Sequence, residues 1–327
     1  MTDFDLVKNK AKKLWSTFGP FENVTGLAAP KLVEFAKLTS GDRVLDVGCG
    51  TGVVALTAAR HGALVSGSDL TPELIDQAIE NARIGQLNID FQVADVEELP
   101  YQDNSFDFVL SQFGHMFSPR PAESTREMLR VLKPGGVIAF STWPPELLTG
   151  RTFRLVGKYA PKPPEGVSSP VEWGEPSIIL DRLGNEVKDV TFHRSEFKNP
   201  ALSPSHMRNF LEAYIGPVSA VVTMLQSEPD KLLNFRRELD DLLSEYFIDN
   251  GVIQSYLMTR AIKLLSKLIP KRSNLAIGLR HWQTSKFTYF SYRVRWKKRI
   301  DMFFIFLFIM KFNIFGHEFN DHMMHRR

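Results

Sequence analysis

From residue 43 to residue 143 the chain repeats one pattern: a short apolar run, a turn, then a segment whose apolar residues recur at helical spacing. The runs are 43–48 (RVLDVG), 63–69 (ALVSGSD), 89–95 (IDFQVAD), 106–113 (FDFVLSQF) and 137–143 (VIAFSTW). Each is almost continuously hydrophobic for about five residues, as strands covered on both faces by helices are. Between the second and third runs, Thr71-Pro72-Glu73 predicts a helix start, with Thr71 as N-cap, Pro72 at the first position and an acid in the first turn. Leu74, Ile75, Ala78, Ile79 and Ala82 then share one face. Strands alternating with helices predict a parallel sheet joined by right-handed crossovers. Ligands in such sheets sit beyond the carboxyl ends of the strands, near the switch in strand order.

Outside this region the pattern changes. Residues 4–38 read as two helices broken around Gly19-Pro20, lying over the end of the first strand. Residues 144–174 are loop-like, with PKPPEG at 161–166, and 187–197 (VKDVTFHRSEF) is strand-like. Residues 203–249 are helical, with Leu232, Leu233, Leu239, Leu242, Leu243 and Phe247 as a stripe, and 255–263 (SYLMTRAIK) alternates as one more strand. The fold class expected is therefore α/β: a seven-stranded, mostly parallel sheet flanked by helices, with a helical cap inserted at about 144–249. N-terminal helices occupy 1–40, the α/β domain 41–263, and 264–327 stands apart.

The overall composition, 43% hydrophobic and 24% charged in 327 residues, excludes a collagen-like, low-complexity or largely disordered chain. The single cysteine, Cys49, excludes a disulfide framework and a multi-thiolate metal site. No metal site is expected, and a reducing compartment fits best. The first residues carry no apolar stretch of the secretory kind, and the longest apolar run, 302–310 (MFFIFLFIM), falls short of the ~20 residues a membrane-spanning helix needs. The expectation is a cytoplasmic body. The net charge of +3 divides unevenly: 264–327 hold 13 Lys+Arg against 3 Asp+Glu, leaving 27 against 34 before them. A body of −7 is joined to a tail of +10.

Candidate chemistry gathers at strand ends. Asp46-Val47-Gly48-Cys49-Gly50-Thr51-Gly52 closes the first strand and opens a helix; its glycines allow a sharp turn and close approach of a ligand, and free N–H groups at the helix start favour an anionic group. The dinucleotide fingerprint would need glycine at 53, where Val53 stands. Asp69 ends the second strand 17 positions after Gly52, where an acid can accept both hydroxyls of a ribose. Asp95, followed by Val96, ends the third, where a carboxylate can accept from an exocyclic amine.

With LDVGCGTG (45–52), SDLTPEL (68–74), VADVEELPYQDNSFDFVLS (93–111) and EMLRVLKPGG (127–136), the chain resembles the class I S-adenosylmethionine-dependent methyltransferases of the small-molecule type, firmly over about 30–145 and more loosely to 263. The motifs look like the branch that contains ubiquinone/menaquinone C-methyltransferases. The resemblance implies a Rossmann-like sheet and S-adenosyl-L-methionine as cofactor. It implies that Gly48, Cys49, Gly50, Thr51 and Gly52 hold the methionyl part, with Asp46 orienting the loop. Asp69 would bind the ribose hydroxyls with Leu70 against the adenine, and Asp95 and Val96 would meet the adenine amine and ring. Ser111, Gln112 and Phe113 would line the methionine and face the acceptor.

Methyl transfer from a sulfonium needs alignment and exclusion of water, and a base only if the acceptor must lose a proton. His115 is the candidate base, and Phe113, Met116, Phe117 and Trp143 the candidate wall of an apolar acceptor pocket. The expected partner is thus a small apolar or aromatic molecule. Two alternatives are a cofactor-binding regulatory or scaffold protein without catalysis, and a lipid-quinone methyltransferase at a membrane surface. Nucleic acid is disfavoured: SQFGH (111–115) replaces the Asn/Asp-Pro-Pro-Tyr/Phe motif of nucleic-acid amino methyltransferases, and an acidic body lacks a phosphate-binding stripe. The tail holds 9 of the 25 Phe and 4 of the 8 His. Its basic, aromatic character fits a peripheral membrane anchor, an RNA contact, or a shifted-frame or read-through extension with no selected structure.

Overall fold

A computed structural model describes residues 3–265. Among them lie seven strands: β1 (Arg43–Val47), β2 (Leu64–Asp69), β3 (Ile89–Val93), β4 (Phe106–Gln112), β5 (Leu132–Thr142), β6 (Val187–Pro200) and β7 (Gly251–Lys263). The helices are α1 (Asp3–Trp15), α2 (Glu22–Thr25), α3 (Ala29–Ala36), α4 (Val53–Arg60), α5 (Pro72–Ile84), α6 (Pro121–Val131), α7 (Leu148–Tyr159), α8 (Pro176–Leu183), α9 (Pro204–Tyr214), α10 (Gly216–Leu225) and α11 (Pro229–Ser244). The readings of 264–327 as anchor, RNA contact or extension fall, apart from residues 264 and 265, outside the described residues.

The strands form one sheet in the order β3-β2-β1-β4-β5-β7-β6. β1 to β5 run parallel, and β7 runs antiparallel to both β5 and β6. This is the mostly parallel α/β sheet expected. β1 pairs with β2 on one side and β4 on the other, so the strand order reverses there, the place where ligands of such sheets bind. Helices cover both faces, and the central strands are apolar on both: Val44, Leu45, Val47, Val109, Leu110, Ala139 and Phe140 are fully buried. β3, at the sheet edge, is not; Val93 is 48% exposed.

Several local expectations are corrected. The second N-terminal helix is divided into α2 and α3, because Pro30 lacks the N–H a continuous helix needs and starts a new one instead. The loop-like 144–174 contains α7, which turns Leu148 and Val156 inward ahead of the proline-rich 161–164. The cap is not one insertion: β6 interrupts it and joins the sheet edge through a long ladder to β7, so the cap consists of α7 before β6 and α9–α11 after it, while α8 packs beside α6 and β6. Ile79 and Leu233, assigned to buried stripes, are 49% and 65% exposed, at the margins of otherwise correct faces. Thr71 stands at the N-cap of α5, but its side chain does not cap the helix.

Candidate active site

The site is built from the loop after β1. Gly48, Gly50 and Gly52 all take positive φ (63°, 55° and 88°), a region cheap only for glycine. A second constraint falls on Gly48 and Gly114. A Cβ on Gly114 would lie 2.3 Å from the Gly48 carbonyl oxygen, and one on Gly48 would lie 2.9 Å from the Gly114 Cα. The loops after β1 and β4 therefore touch backbone to backbone, and neither tolerates a side chain there. Between Gln112 and Gly114, Phe113 is held at φ 62° and stacks on Trp143 with ring centroids 3.8 Å apart. A non-glycine residue in that region is strained, and such strain concentrates at functional sites.

Two carboxylates, the buried Asp46 and the half-buried Asp69, brace the glycine loop. Asp46 Oδ2 accepts from the Ala55 N–H at 3.0 Å in the first turn of α4, while Oδ1 has no partner. Burial, with the neighbouring Asp69 charge, pushes the Asp46 pKa up to about 8. Asp69 Oδ2 accepts from the Gly50 N–H at 2.9 Å and Oδ1 from the Thr71 N–H at 2.9 Å. Desolvation outweighs these bonds and raises its pKa as well. The Cys49 thiol is pushed upward by burial and by both carboxylates, so it stays protonated and unreactive.

Asp95 is engaged differently from the expectation. Its Oδ1 accepts from the Glu97 N–H at 2.9 Å, and its Oδ2 lies 2.5 Å from Lys8 Nζ on α1, a cation that also pairs with Glu97. Glu97 in turn accepts from Ser118 Oγ at 2.6 Å and from the Arg120 N–H at 2.8 Å. Burial works against charge on Lys8, but the two carboxylates prevail and raise its pKa; the same bonds hold Glu97 below the usual carboxylate range despite its burial. The carboxylate expected to meet an adenine amine is already paired, which leaves its remaining lone pairs for that task.

One cavity joins these groups to an apolar chamber under the cap. Gly48, Cys49, Gly50, Thr51, Asp69, Leu70, Asp95, Val96, Gln112 and Phe113 line it. Asp46, Gly52 and Ser111 do not. They stand behind the wall: Ser111 Oγ donates to the Val47 carbonyl at 2.6 Å and accepts from the His115 N–H at 3.1 Å, tying the β1 and β4 loops together. The other half of the cavity is lined by Trp15, Phe18, Phe117, Trp143, Phe153 and Ile215, from α1, the β4 and β5 loops and the cap. Met116 is buried behind this wall.

His115, the candidate base, lines the cavity. The ring is 1% exposed, lies 4.6 Å from the Phe140 ring and 4.7 Å from the Trp173 ring, and neither nitrogen has a hydrogen-bond partner. Burial and the nearby Arg182 charge push its pKa down to about 3. An imidazole in that environment is neutral and a poor proton acceptor at physiological pH. The sequence reading missed Lys8 and Gln254, which reach the cavity from chain-distant elements and belong to none of the motifs, and gave Gly114, inside SQFGH, no role.

A family model described as a methyltransferase domain matches residues 45–140. An uncharacterized protein of Mycobacterium tuberculosis (strain H37Rv) is 32% identical over 243 residues, 74% of this chain and 89% of the relative. The ubiquinone biosynthesis O-methyltransferase of Coxiella burnetii (strain Dugway 5J108-111) is 38% identical over 112 residues, 34% of this chain and 48% of that enzyme. The chain belongs to the class I S-adenosylmethionine-dependent methyltransferases. A Bacillus halodurans C-125 crystal structure, provisionally described as a methyltransferase, shares the fold at TM-score 0.50 and 18% identity, covering 72% of this chain and 99% of its own.

The residues of this methyltransferase fit the family's cofactor. Gly48 and Gly50, both at positive φ, line the cavity without side chains, the Gln112 Oε1 is buried without a partner on the cavity wall, and Asp69 is pinned at the end of β2 beside Leu70.

Proposed function

We propose that the protein transfers a methyl group from S-adenosylmethionine to a small apolar or aromatic acceptor, by in-line displacement and without a general base from the protein. When bound, S-adenosylmethionine supplies a methyl group activated on a sulfonium. The glycine loop from Gly48 to Gly52 would cradle its methionyl part, with Asp46 bracing the loop through Ala55 and Gln112 Oε1 accepting from its ammonium. Asp69, already fixed by two backbone N–H groups, would accept from the ribose hydroxyls, with Leu70, Asp95 and Val96 around the adenine.

The observation that carries this reading is the division of the cavity wall. Its charged side chains, Lys8, Asp69 and Asp95, come from α1 and the ends of β2 and β3, and the remainder is mostly aromatic and aliphatic with a few uncharged polar groups. Such a chamber favours an uncharged acceptor and excludes water, and burial holds the His115 imidazole on its wall below its ordinary pKa. The acceptor nucleophile is therefore one that ionises readily by itself or needs no deprotonation.

The test is transfer of tritium from methyl-labelled S-adenosylmethionine to a panel of apolar phenols, enols and thiols, set beside carboxylated analogues of each. Label passes to organic-extractable apolar products and falls at least about tenfold in Asp69→Ala. Transfer confined to the charged analogues, or undiminished in Asp69→Ala, contradicts the proposal.

A further inference from the structure

Away from the glycine loop, two side chains among the described residues line the cavity and have buried polar atoms without a partner: His115, whose ring packs against Phe140 and Trp173, and Gln254. Gln254, on β7, is 5% exposed, lines the cavity, and its Oε1 has no hydrogen-bond partner. Other polar groups there are accounted for: Thr152 Oγ1 turns back onto the Leu148 carbonyl at 2.9 Å, and Ser118 is committed to Glu97. Gln112 also has a free Oε1, but its Nε2 is fixed on the Thr25 carbonyl at 2.8 Å and it ends β4 beside the glycine loop, at the cofactor end. Gln254 sits elsewhere. It is paired with Phe197 across the β6–β7 ladder, between Val252 and Tyr256, both fully buried on the same strand face. Tyr256 meets the stacked Phe113 and Trp143 edge-on.

A buried amide oxygen without a donor forfeits its hydration and gains nothing in return, unless something that enters the cavity completes it. We propose that Gln254 is a specificity-determining residue of the acceptor site, its Oε1 accepting a hydrogen bond from a hydroxyl or N–H carried by an otherwise apolar, aromatic acceptor. This rests on the reading of the cavity as a methyl-acceptor site. The Phe113 and Trp143 rings supply an aromatic wall and Gln254 a polar coordinate set in it. An analogue of the same shape that lacks the donor leaves Oε1 unpaired and is rejected on that ground.

The experiment uses the full-length protein saturated with S-adenosylhomocysteine and follows tryptophan fluorescence, since Trp15 and Trp143 line the cavity. Two probes of nearly equal shape are titrated: 2-naphthol, which donates, and 2-fluoronaphthalene, which does not. The wild type binds 2-naphthol at least about tenfold tighter. In Gln254→Met the two affinities agree within about twofold, in Gln254→Asn part of the preference returns, and both variants bind S-adenosylhomocysteine as the wild type does, which reports an intact fold. A preference unchanged in Gln254→Met, with S-adenosylhomocysteine still bound, overturns the assignment and places Gln254 with Asn199, a buried amide on β6 that is also unpartnered and does not line the cavity. A wild type that does not bind S-adenosylhomocysteine overturns instead the function on which the assignment rests.

Discussion

Asp46 is the residue whose chemistry the fold alters most. Its folded pKa of about 8 lies well above the unfolded value near 4, so the folded state binds a proton that the unfolded chain has released. Stability from this group is complete below the unfolded pKa and declines as pH rises through the folded one. Asp46→Asn keeps an acceptor for the Ala55 N–H and has no proton to lose. Thermal melts at pH 6, 7, 8 and 9 are therefore expected to show the wild type losing stability relative to Asp46→Asn up to about pH 8, with the difference then level; parallel melts across the range contradict this. Asp46, the glycines and Asp69 were legible because their signal is local: a strand, a turn and a helix start contiguous in sequence. His115 was legible as a position but not as a chemistry, since its neutralisation comes from Phe140, Trp173 and Arg182, which only folding brings to it.

At the scale of elements, α1 is the least conventional part of the site wall. None of its residues is fully buried, and it is held by the Lys8 pairing, by the Trp15 ring against Phe18 and Phe117, and by the start of α10, where a Cβ on Gly216 would lie 2.5 Å from the Leu14 carbonyl oxygen. Lys8 is 12% exposed against 1% for Glu97, so the pair is shielded from solvent screening. Lys8→Ala is expected to cost roughly 2 kcal/mol in chemical denaturation and to speed hydrogen exchange across α1; exchange at the wild-type rate contradicts the latching role. The hydrophobic pattern predicted α1 as a helix over the cofactor end, but its latch was invisible, because 87 positions separate Lys8 from Asp95. For the same reason the bounds 144–249 of the expected cap run across β6, although 187–197 is needed to complete the seven strands expected. The alternation of β6 marked a strand, but only the ladder to β7 makes it a sheet edge.

For the whole molecule, the net charge of +3 describes neither part of the chain: the acidic body carries the site, and the basic 264–327 lie almost wholly outside the described residues. Among the described residues no helix is long and apolar enough to cross a membrane. Family, sheet order and cavity all concern the body, and the proposed cofactor site lies at the ends of β1 to β4. Isothermal titration of the purified protein with S-adenosylmethionine tests this most directly. The expected result is a single saturable site, weakened at least about tenfold, or ~1.4 kcal/mol, in a folded Asp69→Ala variant. Absence of binding by the folded wild type, or equal affinity in Asp69→Ala, would contradict it.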